Sequence, residues 1–226
     1  MRGYDGGVGV AALVIRDDYI RVVAFGGESR QLHGCQPLGV VRQNDGHSRR
    51  AVGEAKRGAT VSHRLSVGYD EAEEAKDKLA NDDNFKLVSI RSEEEWLGKT
   101  SGYNYMDKAG EPDGAVWGKG AKTAADVADF TNDDGTVKDL DGLKEVWKDC
   151  DFTLDNHLAF YCGTGWRAAV PFLVLYENGY DNISVYDGGW YEWLMHDDYP
   201  VQVGDPASAD CQHTTVGELP TGKAAK

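Results

Sequence analysis

Cys162 is the residue in this sequence that is best placed to do chemistry. It ends HLAFYC at residues 157–162, an apolar segment that predicts a buried strand. A glycine-bearing loop and a predicted helix follow it. In open α/β sheets, sites form at the carboxyl ends of the strands. A thiol at that edge can act as a nucleophile, and the alternative is a structural cysteine buried at the end of a strand.

The loop after the cysteine reads Gly163-Thr164-Gly165-Trp166-Arg167. If it wraps around the sulfur, it points successive backbone N–H groups at the sulfur and forms an anion-binding nest. The positive end of the following helix adds to this field, and both effects favour the thiolate over the thiol. The two glycines permit the positive φ angles that such a turn needs. This pattern favours a functional cysteine over a structural one.

Other reactive side chains give weaker signals. The 6 histidines do not cluster at metal-ligand spacing, and no G-x-S-x-G pattern supports serine catalysis. The 4 cysteines form no CxxC pair. Cys35 lies in the segment HGCQPLG without a strand before it, while Cys150 and Cys211 are alternatives as a resolving thiol. We predict that the chemistry needs no cofactor and no metal.

The elements that must position Cys162 alternate between helix and strand from residue 69 onward. Strands are predicted at FKLVSI (85–90), HLAFYC (157–162) and NISVYDGG (182–189). Helices are predicted at 69–82, 92–96, 139–150, 167–179 and 188–195. Ser92 is the predicted N-cap of the second helix, with Glu95 completing a capping box. This alternation predicts an α/β fold with a central parallel sheet flanked by helices.

Four motifs occur in order between about residues 70 and 200. They are LVSIRSEEEW at 87–96, GEPDGAVW at 110–117, CGTGWRA at 162–168 and VYDGGWYEW at 185–193. Together they resemble the arginine turn, glycine-alanine motif, active-site loop and tryptophan helix of the rhodanese (thiosulfate sulfurtransferase) family. The loop and the TSGYNY insert at 100–105 are most similar to the last catalytic domain of multi-domain bacterial rhodaneses. The resemblance implies a rhodanese-like domain.

The resemblance also implies a reaction. Cys162 attacks the outer sulfur of a small anionic donor such as thiosulfate and passes it, as a persulfide, to a thiophilic acceptor. The amides of the loop stabilise the sulfur anion. Arg167 neutralises the donor or holds the loop, Trp166 walls the pocket, and Thr164 donates a hydrogen bond to the donor. Arg91 pairs with Glu95 as structural support.

Several readings of this function stay open. The CGTG start also resembles 3-mercaptopyruvate sulfurtransferases, and a persulfide relay to a protein acceptor is a further alternative. Outside the enzymes, the alternative is a rhodanese-like regulatory or binding module. Arg167 comes five positions after Cys162. Because related phosphatases place their arginine one position later, this spacing favours sulfur over phosphate.

The sequence of 226 residues predicts four regions. Residues 1–45 resemble a partial or truncated preceding rhodanese repeat, 46–68 a linker, 69–203 the catalytic domain and 204–226 a flexible tail. The formal net charge of −14 argues against nucleic acid and anionic membranes as partners, because both bind basic surfaces. We expect a cytoplasmic location, with export as the alternative if a leader is missing from this chain.

Overall fold

The computed structural model describes the secondary structure of residues 10–16, 19–25, 41–42 and 68–225, and the side chains of residues 70–225. In the first part of the chain, β1 (Val10–Arg16) and β2 (Tyr19–Phe25) form an antiparallel hairpin, and β3 (Val41–Arg42) pairs with β2. The truncated preceding repeat stays a prediction. The predicted linker lies outside the described residues except for its last residue, Gly68.

A central parallel sheet and its helices make up the rest of the fold. Its strands are β4 (Gly68–Tyr69), β5 (Phe85–Ser89), β7 (Val116–Trp117), β8 (His157–Tyr161) and β9 (Ile183–Val185). The helices are α1 (Ala72–Asn81), α2 (Glu93–Trp96), α3 (Leu140–Trp147), α4 (Ala169–Glu177) and α5 (Gly189–Trp193). The predicted strands and helices are confirmed, but the strand predicted at 182–189 is shorter and ends at Val185.

The sheet has the order β4-β9-β8-β5-β7, and every neighbouring pair is parallel. β8 lies in the middle, and its side chains alternate between two hydrophobic clusters. Leu158 and Phe160 belong to one cluster, Ala159 and Tyr161 to the other. A parallel strand that is covered on both faces must be apolar along most of its length. This requirement explains why the strand before Cys162 is so readily predicted.

Helices cover both faces of the sheet. On one face α3 and α4 contribute Leu143, Trp147 and Leu175. On the other face α5 contributes Trp190 and Trp193. Burying a large apolar side chain contributes about 1.5–3 kcal/mol, so these contacts fix the helices against the sheet. Among the described residues, no helix is both long and apolar enough to cross a bilayer.

A smaller antiparallel sheet closes one side of the domain. It contains β6 (Glu111–Pro112), β10 (Pro200–Val203) and β11 (Gln212–Thr215), in the order β11-β10-β6. Because β11 and the buried Val216 and Leu219 lie beyond residue 203, the predicted flexible tail is wrong for the described residues. The composition of this region is small and polar, but main-chain pairing and two apolar anchors hold it in place.

The last described residues, 221–225, form what we call the C-terminal segment, which pairs with the insert at 100–107. Ser101 donates its N–H to the carbonyl of Lys223 at 2.8 Å, and Lys223 donates its N–H to the carbonyl of Asp107 at 2.9 Å. Ala225 donates to the carbonyl of Tyr103 at 3.0 Å. The C-terminal segment therefore holds the insert along much of its length.

Candidate active site

Cys162 directly follows β8, at the carboxyl end of the central strand. Its side chain is 0% exposed. The backbone N–H of Trp190 donates to the carbonyl of Cys162 at 2.9 Å, and that of Tyr191 donates to the carbonyl of Gly163 at 3.0 Å. These two bonds tie the start of the loop to α5, so the cysteine sits between the sheet and the helix.

The backbone N–H groups of the loop are available as donors. Within residues 70–225, none of the N–H groups of residues 163–167 donates to a backbone carbonyl. Buried amides normally find an acceptor, so an unused row beside a sulfur atom is an arrangement suited to an anion. The cradle of main-chain donors around the sulfur stays a prediction, and these amides are the groups that would form it.

The two loop glycines serve different purposes. Gly165 has a φ of +82°, and a β-carbon there would overlap the backbone of Asp187. The predicted positive φ is therefore confirmed at this position. It is wrong for Gly163, whose φ is not in the left-handed region; a β-carbon at Gly163 would instead overlap the ring of Tyr103. Close approach of an aromatic ring, and not backbone conformation, requires glycine there.

Arg167 is fully buried and faces a carboxylate. Its two terminal nitrogens donate to the two carboxylate oxygens of Glu95, each at 2.9 Å, and Nη2 also donates to the hydroxyl of Tyr103 at 3.0 Å. Burial alone lowers the pKa of Arg167, but the electrostatic interactions with Cys162 and Glu95 outweigh it and raise that pKa. The guanidinium is permanently charged, and Glu95 occupies its fork.

Glu95 links the loop to the predicted arginine turn. The predicted pairing of Arg91 with Glu95 is present, with 3.3 Å between Nε and Oε1, and the capping box of Ser92 and Glu95 is complete. Burial raises the pKa of Glu95, but Arg91 and Arg167 outweigh it and lower that pKa to about 2. One carboxylate therefore caps α2 and binds two buried arginines.

Glu111 is a buried acid that the sequence analysis did not single out. It accepts a hydrogen bond from Nη1 of Arg91 at 2.7 Å and another from the hydroxyl of Tyr161. Burial raises the pKa of Glu111 to about 7, although Arg91 opposes that change. The motif GEPDGAVW contains this residue, but nothing in its local pattern shows that Glu111 contacts the strand before Cys162.

Three tyrosines, Tyr103, Tyr105 and Tyr191, lie together over the loop and are called the tyrosine cluster here. The ring centroids of Tyr103 and Tyr105 are 5.5 Å apart, and those of Tyr105 and Tyr191 are 5.9 Å apart. Trp166, the predicted pocket wall, is half-buried. The sequence analysis missed the tyrosines because two of them lie in an irregular insert.

The strand order, the cysteine loop and the buried arginines point to one family. The pattern of the Rhodanese-like domain matches residues 71–196. The chain therefore belongs to the rhodanese family, and its rhodanese-like α/β fold is confirmed.

Individual relatives agree with this assignment. The chain is 44% identical over 119 residues to the thiosulfate sulfurtransferase YnjE of Escherichia coli (strain K12), covering 53% of this chain and 27% of that protein. It is also similar to the crystal structure of YnjE, with a TM-score of 0.57, 37% identity and coverage of 74% and 39%.

A third relative is a structure of EanB with a cysteine persulfide and ergothioneine. The TM-score is 0.59 with 32% identity, and the match covers 74% of this chain and 38% of that chain. The present chain spans less than half the length of each of these proteins.

Proposed function

We propose that this protein is a sulfurtransferase that carries sulfane sulfur as a persulfide on Cys162. The observation that supports this most is the row of N–H groups at residues 163–167, which donate to no backbone carbonyl within residues 70–225 and directly follow a buried cysteine at the end of the central strand. Such donors stabilise a thiolate and a persulfide anion without rearranging. The similarity to a thiosulfate sulfurtransferase supports thiosulfate as the donor.

The reaction takes two steps. The thiolate of Cys162 attacks the outer sulfur of thiosulfate, a new S–S bond forms, and sulfite leaves with the electron pair of the broken S–S bond. A thiophile such as cyanide then attacks the outer sulfur of the persulfide, which releases thiocyanate and restores the thiolate. This is covalent catalysis with ping-pong kinetics.

The surrounding residues have separate tasks in this proposal. Arg167 is a positioning residue that fixes the loop, because Glu95 already binds both ends of its fork. Its charge still favours a sulfur anion, because both residues are buried and interact electrostatically. Thr164 and Trp166 are only partly buried and border the approach to the sulfur.

The test is a comparison of the intact protein with Cys162→Ser. With thiosulfate and cyanide, we expect thiocyanate formation from the intact chain and none above background from the variant. Mass spectrometry after exposure to thiosulfate alone should find one added sulfur atom on Cys162. Cys150→Ser and Cys211→Ser are matched controls and should keep full activity. Equal activity in Cys162→Ser would refute the proposal, and no turnover in any form would favour a binding module.

A second candidate acceptor has a specific observation in its favour. The EanB structure carries its persulfide on a cysteine and has phenylalanine in place of a tyrosine. That tyrosine precedes the cysteine by as many positions as Tyr103 precedes Cys162. A similar enzyme from Chlorobium limicola has been crystallised with its natural substrate trimethyl histidine. We therefore propose trimethyl histidine as an alternative acceptor.

In that case a C–S bond forms on the imidazole ring, the S–S bond of the persulfide breaks, and the ring hydrogen ends on the sulfur of Cys162. The test is to incubate the persulfide form with trimethyl histidine and analyse the small molecules by mass spectrometry. A product heavier by one sulfur atom supports this acceptor. Transfer to cyanide without any transfer to trimethyl histidine would rule it out.

A further inference from the structure

The tyrosine cluster presents aromatic surface to solvent beside the cysteine loop. Tyr105 is 59% exposed and Tyr191 is 44% exposed, and Met195 is the other large hydrophobic residue in residues 70–225 that falls in the exposed class. The rings of Tyr105 and Tyr191 meet at 74°, so they form an open corner. Exposed aromatic surface that is grouped at one place marks a binding site more often than single exposed residues do.

Two rings of the tyrosine cluster are anchored to the loop, and Tyr105 packs against both of them. The hydroxyl of Tyr103 accepts a hydrogen bond from Arg167. The backbone of Tyr191 donates to the carbonyl of Gly163. Both anchors belong to the loop of Cys162 itself. A ligand on these rings would bind a pre-organised surface, which limits the entropy lost on binding.

The segment that carries Tyr191 is acidic, whereas the insert is flanked by Lys99 and Lys108. Residues 187–198, which carry Tyr191, contain four carboxylates and neither lysine nor arginine. These carboxylates are Asp187, Glu192, Asp197 and Asp198. Within the loop the charged residue is Arg167, which is buried and bound to Glu95. The faces of tyrosine rings carry negative electrostatic potential, so ring and carboxylates attract the same sign of charge.

We propose that the tyrosine cluster binds the ammonium group of a cationic sulfur acceptor, with a trimethylammonium group preferred. A trimethylammonium group spreads its charge over methyl groups that can contact two rings at once, and it is less strongly hydrated than a primary ammonium. This inference rests on the proposed transfer of sulfur from Cys162, because it names the part of the acceptor that the neighbouring surface holds. It also assigns Tyr191 and Tyr105 as specificity-determining residues.

The probe for this site is choline, compared with its neutral isostere 3,3-dimethyl-1-butanol. Titration calorimetry on the full chain should detect choline, with the neutral alcohol about tenfold weaker or undetectable. Tyr191→Leu should weaken choline binding about five- to tenfold, whereas Tyr191→Phe should keep it within about twofold because the ring remains. Met195→Leu, an exposed change in the same region, is the matched control and should leave binding unchanged.

Equal binding of choline and the neutral alcohol would overturn the inference, and so would undiminished choline binding by Tyr191→Leu. Mass spectrometry of the same samples after thiosulfate exposure separates this result from the proposed function. A persulfide on Cys162 without any preference for the cation defeats the binding inference alone. Choline binding without a persulfide supports the cation site and defeats the sulfur carrier.

Discussion

Arg167 and Glu95 are 72 positions apart in the chain, yet they make two parallel hydrogen bonds in the interior. A charged pair of this kind is costly to bury and adds little net stability by itself. Its value here is geometric, because the bidentate contact allows one orientation of the guanidinium and therefore of the loop backbone. The same contact directs the fork of Arg167 away from any donor anion.

Replacing Glu95 by glutamine tests this contact at the residue scale. Glu95→Gln leaves two buried arginines short of a negative charge, so we expect the free energy of unfolding at pH 7 to fall by about 3 kcal/mol. The free energy of unfolding is measured by urea denaturation, with circular dichroism as the signal. Glu94→Gln, an exposed change in the same helical turn, is the control and should cost less than about 0.5 kcal/mol. If Glu95→Gln lowered the free energy of unfolding no more than the control does, the stabilising role of the contact between Glu95 and the two arginines would be contradicted.

The pH dependence of this contribution has a definite sign. The pKa of Glu95 is about 2 in the folded protein, below its ordinary value of 4.5. Its contribution is therefore present above pH 4.5 and is lost as the pH falls toward 2. In Glu95→Gln this part of the acid destabilisation should be missing.

Residue-scale prediction succeeded where the signal was local. The capping box of Ser92 and Glu95 lies within one short segment, and its hydrogen bonds follow from neighbours in the sequence. The role of Cys162 and its loop stays a prediction. Tyr103 and Glu111 were missed because their roles depend on contacts with residues 50 or more positions away. No spacing rule connects such pairs.

At the scale of elements, β8 and α4 hold Cys162 between them. Both were predicted because a strand buried on both faces and a helix of high apolar content leave clear patterns. The region after residue 203 was predicted wrongly, since β11 and the C-terminal segment are held largely by main-chain bonds. Pairing through the backbone leaves no mark in the side-chain pattern.

Removing residues 221–226 tests what the C-terminal segment does. The buried anchors Val216 and Leu219 remain, so we expect the domain to stay folded. The insert with Tyr103 and Tyr105 loses its main-chain partners, so kcat/KM for sulfur transfer should fall about tenfold. Hydrogen exchange in the peptide covering 100–107 should increase.

Lys223→Ala is the matched control for this truncation. Its bonds to Ser101, Thr100 and Asp107 all use the main chain, so the substitution should change neither activity nor exchange. Unchanged exchange in the truncated chain would show that the insert is held by other contacts.

At the scale of the whole molecule, the site lies above a buried network of charges. Two arginines and two glutamates, all buried, connect the ends of β5 and β8 with the small sheet through β6. The formal charges cancel only when both acids are ionised. Glu111 resists ionisation because burial raises its pKa to about 7, so the charge of the network changes near neutral pH.

The stability of the whole domain should report this change. Because the folded pKa of Glu111 is raised from 4.5, its contribution is fully present below pH 4.5 and is lost as the pH rises through 7. A pKa shift of this size changes the free energy of unfolding by ~3 kcal/mol. Urea denaturation of Glu111→Gln should therefore show a smaller decline in unfolding free energy between pH 5 and pH 8 than the unaltered chain. Identical declines would place the ionisation elsewhere.

The complete burial of Cys162 beside the tyrosine cluster has a consequence for the lifetime of the proposed persulfide. A persulfide that stands in open water is quickly reduced by any small thiol that collides with it. Beside the tyrosine rings, the same group reacts only with molecules that can pass those rings. If Cys162 carries sulfur as proposed, the lifetime of the persulfide therefore depends on which acceptor molecules can reach it.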